Sequence, residues 1–229
     1  MSYNIPVSAT WIDRLERRFE GWHMPQLATF IVAMNAAIYV LSLVKPEFPI
    51  LLTLQPDLIG QGQLWRLFTF LFIPPSVSPL WMFFWLYLLY TYAQALENEW
   101  GDFRFNLFYG LGALSTIAAS LLLGAGLSNF ILNTTIFLAF AALYPDFELM
   151  LFFVLPVKVK WLAYIWWLVM AFNFLGGGWY ARTAIAAGLL NYGLFFGRTH
   201  WENVKFWLQV RRNRRRYRKA LKDRDDEDA

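Results

Sequence analysis

The chain has no cysteine and only two histidines, His23 and His200. The first absence excludes disulfides, thiol nucleophiles and thiolate metal sites. The second confines imidazole, the commonest general base, to two positions near opposite ends of the chain. Charge is also scarce, at 16% of residues against roughly 25% in a soluble domain. The scarcity is local: residues 24–44, 67–96, 105–144, 161–181 and 183–197 carry no Asp, Glu, Lys or Arg. A proton-coupled pump or metal transporter needs an ionisable group at mid-depth in the membrane. These runs offer none, which argues against both classes.

Apolar residues fill the space. They make up 58% of the chain, and aromatics alone make up 20%. A window of about 18–20 uncharged, mostly apolar residues is long enough to cross the hydrocarbon as a helix. The sequence predicts six such helices, over 25–44, 79–96, 103–123, 130–144, 161–174 and 181–197, with the fourth and fifth short. Lys45-Pro46 ends the first. Residues 65–73 are apolar but stop at Pro74-Pro75, so they predict an interfacial segment rather than a span. Residues 1–23 are polar, and no small-residue cleavage site stands out, so the first apolar run reads as a retained span rather than a signal peptide.

The expected fold is therefore all-α: a polytopic helical membrane protein with a six-helix core, an interfacial first loop and a basic C-terminal tail. Its divisions are a cytoplasmic segment 1–24, a membrane domain 25–197 and a cytoplasmic tail 198–229. Orientation follows from the basic residues. Arg14, Arg17, Arg18, Arg104, Lys158, Lys160 and the tail fall on one side, and only Lys45, Arg66 and Arg182 on the other. Both termini are thus expected inside, in a multi-pass protein of a bacterial inner membrane.

In the tail, apolar Val204, Phe206, Trp207, Leu208 and Val210 precede Arg211, Arg212, Arg214, Arg215 and Arg216. This pattern predicts contact with anionic lipid headgroups along the membrane surface. Nothing in it matches a nucleic-acid-binding fold. Within the spans the polar residues are neutral, among them Asn35, Asn133, Thr134, Thr135 and Asn191, and hydrogen bonds between helices or back to carbonyls are their expected use. Gly110, Gly112, Gly188 and Gly193 are expected to let helices pack closely. No cofactor and no metal are implied.

Three blocks carry a family resemblance. Trp65-Arg66 lies in Gly-Gln-Leu-Trp-Arg-Leu-Phe-Thr-Phe. Glu97 ends the second predicted span and is followed by Trp100-Gly101 and Arg104-Phe105. Leu143-Tyr144-Pro145-Asp146 leads through Leu151–Pro156 to Trp161-Leu162-Ala163. Together, in this order and over about residues 60–197, they resemble the rhomboids and their derlin relatives. The resemblance implies structural roles for Trp65, Arg66, Glu97, Gly101 and Arg104, with Arg66 holding the first loop and Glu97 tying helix ends together.

The chain departs from that family where the chemistry sits. Rhomboid proteases carry a serine in Gly-x-Ser-Gly at the start of the fourth span and a histidine in the sixth. Here the nearest serine motif is Gly126-Leu127-Ser128-Asn129, and counting from Glu97 puts the serine position nearer Leu132 to Thr134. Ala184-Ile185-Ala186-Ala187 stands where the histidine is due, and Trp81 and Trp85 where the oxyanion helpers are due. Ser128 and Thr134 are therefore weak catalytic candidates without a base, and Lys158 and Lys160 lie at the wrong end to supply one. The reading is a non-proteolytic rhomboid-like protein that binds transmembrane segments of clients. The alternatives are an active intramembrane serine protease with an atypical site, or a small transporter or channel subunit.

Overall fold

The structure is a computed structural model that describes residues 10–19, 21–151 and 155–227; side chains are not described for residues 10, 151, 155 and 215–227. The elements run α1 (Thr10–Arg18), α2 (Leu27–Val44), α3 (Pro56–Gly60), α4 (Arg66–Thr69), α5 (Pro79–Trp100), α6 (Asp102–Leu123) and α7 (Phe130–Leu143). A hairpin of β1 (Glu148–Leu151) and β2 (Leu155–Lys158) follows. Then come α8 (Val159–Gly176), α9 (Trp179–Gly188) and α10 (Leu190–Glu227).

Three helices, α2, α6 and α8, are long and apolar enough to cross a membrane by length and composition. Helix α7 is apolar too but has only 14 residues, about 21 Å at 1.5 Å per residue, short of the ~30 Å hydrocarbon core. The exterior fits lipid rather than water. Helix α8 leaves Trp161, Tyr164, Ile165, Leu168, Phe172 and Leu175 exposed, far more apolar surface than a soluble fold tolerates. The interior is aromatic: Phe70, Phe105, Phe108, Phe140 and Phe196 are fully buried.

The structure differs from the sequence expectation at three places. Glu148–Leu151 and Leu155–Lys158 pair as antiparallel strands, Glu148 with Lys158 and Leu149 with Val157, where an all-helical chain is expected. Pro145 and Pro156 bar a helix there. Residues 152–154, part of the third family-like block, lie outside the described residues. The fifth helix extends to 18 residues and is not short. The sixth predicted helix is broken at Gly188-Leu189 into α9 and α10, and α10 runs through Arg198 without interruption.

Contacts define two ends. At one, Asn106 Nδ2 donates to Met24 O at 2.9 Å and Tyr144 Oη to Glu99 at 3.0 Å, and Lys160 pairs with Asp146 at 2.7 Å. Those bonds from both lysines hold the Asp146 carboxyl below its usual range. Helix α1 packs at this end, through fully buried Ile12 and the edge of Trp11 against Phe195. Arg104 fastens it, reaching Asp13 at 3.0 Å and Glu16 at 2.9 Å. These ion pairs are part-exposed, so Arg104→Ala is expected to cost under about 1 kcal/mol of global stability. Hydrogen exchange in α1 should nevertheless accelerate severalfold while the spans stay protected. Unchanged exchange in α1 would show that the apolar contacts suffice.

At the other end, Tyr39 Oη donates to Val77 O at 2.9 Å and Tyr180 Oη to Gly126 O at 2.6 Å. The first loop and the loop before α7 meet here, with Leu54 bridging Leu127.

Candidate functional site

Arg66 opens α4 and is almost fully buried, whereas its neighbour Trp65 is half-exposed. The guanidinium donates from Nε to Gln63 Oε1 at 2.8 Å and from Nη1 to Ile50 O at 3.1 Å and Thr53 O at 2.9 Å. One fork thus ties three points of the first loop, a use that suits the fixed planar donors of arginine. Thr69 adds a bond to Leu52 O at 3.1 Å.

Glu97 is buried near the end of α5, where its Oε1 accepts the Ala28 N–H at 3.3 Å. A carboxylate from one helix therefore caps the free N–H groups at the start of another, α2, with the favourable sign for the helix dipole. Helix α2 needs it, because its own N-cap position, Gln26, is left-handed and makes no side-chain cap. Glu97 Oε2 is buried without a hydrogen-bond partner among the described residues. Gly101 separates α5 from α6 at φ 81°, ψ 161°, a conformation essentially reserved for glycine.

The second loop and α7 hold the catalytic candidates. Asn129, buried at the start of α7, donates from Nδ2 to Leu71 O at 2.8 Å and Ile73 O at 3.0 Å. It locks the end of the first loop to the start of α7. Sequence reasoning passed over this residue; an asparagine just before an apolar helical run was the available signal. Ser128 is exposed, and its Oγ lies 3.4 Å from the Phe130 N–H that donates to it. Thr134 Oγ1 donates to Phe130 O at 2.8 Å. Each hydroxyl thus serves its own helix.

Neither histidine is bonded to these hydroxyls. His23 stands 3.9 Å from Asp102, and His200 Nε2 lies 2.8 Å from Tyr192 Oη. Partial burial lowers the His200 imidazole from its ordinary range. Lys158 and Lys160 are both occupied by Asp146. Among the described residues no group of His, Cys, Asp or Glu could hold a metal ion.

Thr135 and Asn191 carry the polar link between α7 and α10. Asn191, fully buried, donates to Thr135 Oγ1 at 3.0 Å and to Phe108 O at 3.3 Å. Its Oδ1 accepts the Tyr192 N–H at 2.8 Å, capping the start of α10. At the break before it, Ser115 Oγ donates to Ala187 O at 2.7 Å. Two of the four expected close-packing glycines do that work. A Cβ on Gly112 would strike Leu132 and lie 2.7 Å from Asn191 Nδ2, and one on Gly188 would strike Ile131. Gly110 and Gly193 face open space.

Asn133 behaves differently from the threonines beside it. Its Oδ1 is buried with no partner among the described residues, although the residue as a whole is only half-buried. It lies one turn beyond Phe130, which packs on Trp166 of α8, and one turn before Phe137, which packs on Tyr92 of α5. Helices α5 and α8 both pack on α7 and hardly on each other. The result is a lateral seam floored by α7.

Of the tail arginines, Arg211, Arg212 and Arg214 are exposed on α10; the side chains of Arg215 and Arg216 lie outside the described residues.

The fold and these sites define a mostly helical chain of membrane-protein character, with loops pinned by buried polar residues at one end. No family model matches the chain, and no curated protein is significantly similar to it.

Proposed function

We propose that this chain is a rhomboid-like, six-span membrane protein that binds transmembrane segments of client proteins without cutting them. The observation that carries the reading is the seam between α5 and α8. A short α7 lies between those two helices, and the Asn133 amide oxygen buried on it has no partner among the described residues, so a client donor reaches it once the side chain turns outward. An unpaired polar group in hydrocarbon is costly, and a passing helix that brings a donor relieves it.

The remaining spans of this reading are α5, α7 and the α9–α10 pair. The grouping of helix ends supports the orientation with both termini in the cytoplasm, because Arg104, Lys158, Lys160 and α1 share one end and Arg66 lies at the other. The Trp65, Arg66, Glu97, Gly101 and Arg104 pattern supports the family likeness. The engagement of the Ser128 and Thr134 hydroxyls with Phe130 supports the non-proteolytic half: an unactivated hydroxyl is a poor nucleophile.

Two experiments test the reading. A photo-crosslinking residue at Phe130, in the seam, is expected to capture helical membrane segments, whereas one at exposed Val40 on α2 labels lipid alone. Equal products at both positions would remove the seam from the argument. In liposomes, the purified chain should leave a tagged transmembrane substrate intact while an active rhomboid cuts it. Cleavage lost in Ser128→Ala or Thr134→Ala would establish the protease reading instead.

A further inference from the structure

The first turns of α10 belong to the bundle: Asn191, Tyr192, Phe195 and Phe196 are buried. Beyond Arg198 nothing described covers the helix, yet Trp201, Val204, Phe206, Trp207 and Leu208 all leave about half or more of their surface exposed. If the membrane span ends near Gly197, Leu208 lies about 16–17 Å further along the axis. The headgroup layer on one side is only about 5–7 Å thick. A helix standing upright would therefore hold Val204 to Leu208 in water.

Helical spacing arranges these residues by side. Trp201, Val204 and Leu208 fall on one stripe at i, i+3 and i+7, with Trp207 flanking it, and Glu202, Gln209 and Asn213 fall opposite. Phe206 sits off the stripe. The cations line its borders: Lys205 Nζ lies 5.3 Å from the Trp201 ring centroid and the Arg211 guanidinium 5.2 Å from that of Trp207. Arg212 and Arg214 continue the run. Indole rings and basic heads side by side suit the boundary where hydrocarbon meets phosphate. Pairing of this stripe with a second copy would bring Lys205, Arg211, Arg212 and Arg214 against their like.

We propose that the segment 198–214 of α10 lies on the cytoplasmic membrane surface, with the Trp201–Val204–Leu208 stripe in the lipid and its basic borders on anionic headgroups. The helix reaches that surface by bending near Gly197, just past the buried Phe195 and Phe196, where open space surrounds the glycine and no side chain stiffens the turn. This inference stands whether or not the chain binds clients.

The cysteine-free background permits a direct test on the full chain. Leu208→Cys and Gln209→Cys are spin-labelled separately and reconstituted in nanodiscs of phosphatidylcholine alone or with one third phosphatidylglycerol. With the anionic lipid, the Leu208 label should become severalfold less accessible to an aqueous quencher and more accessible to oxygen. The Gln209 label should stay in water. Replacing Arg211, Arg212 and Arg214 by glutamine should reverse the protection at Leu208. Equal accessibility at the two positions overturns the proposal. So does protection at Leu208 that ignores lipid charge and comes with spin–spin broadening, since that result would put a second copy on the stripe.

Discussion

Gly112→Val is expected to leave no folded protein recoverable in mild detergent, and Gly112→Ala to lower thermal stability by about 1–3 kcal/mol. The reason is local. The hydrogen on Gly112 faces Leu132 of α7 and the amide of Asn191 at the start of α10, so any added carbon pushes at the point where three helices meet. The amide cannot retreat without giving up Thr135 and Phe108 O. Gly110→Ala, two residues away, faces open space and should be neutral or slightly stabilising, since alanine is the better helix former. Thermal midpoints from fluorescence-detected size exclusion check the pair. Equal losses at both positions would mean that helix flexibility, and not the close approach, is what glycine supplies.

Arg66→Ala should also be damaging, at about 1–3 kcal/mol. Removing it takes a charge-assisted hydrogen bond from each of the Ile50 and Thr53 carbonyls and the Gln63 side chain, and Ile50 O keeps only the Thr53 hydroxyl. The damage should be confined at first to the first loop, with protease sites over residues 46–64 opening before the helices unfold. Arg66→Lys should recover only part of the loss, because an ammonium on a flexible stem cannot hold all three points in the same geometry. Full rescue by lysine would reduce the role of Arg66 to its charge. Loss of the loop should also weaken the start of α7, since Asn129 hangs from Leu71 and Ile73 at the loop's end.

The helices were legible because apolar runs without charge have few other ways to fold. The ends of α2, α6 and α7 follow from Lys45-Pro46, from Gly101 and Gly124, and from Pro145. The break at Gly188-Leu189 was not legible, because glycine within an apolar helix is compatible with either outcome. The break is stabilised by an outside donor, Ser115 to Ala187 O, and within α10 by Asn191 Oδ1, which accepts the Tyr192 N–H. Ser128 and Thr134 could be singled out as hydroxyls, but only the folded chain shows that Ser128 accepts the Phe130 N–H and that Thr134 donates to Phe130 O.

By itself the sequence determined the solvent. Runs of uncharged residues and an aromatic content of 20% commit these helices to an apolar environment, since no soluble core could bury so much, and the absence of cysteine excludes disulfides and thiol chemistry. Tertiary structure alone decided which polar groups are satisfied. Arg66, Glu97, Asn129 and Asn191 find their partners across 16, 69, 58 and 56 positions of chain. Spacing in the sequence carries no information about such pairs. Asn133, just before two satisfied threonines, keeps a buried amide oxygen without a partner among the described residues, because helical geometry turns neighbouring side chains about 100° apart.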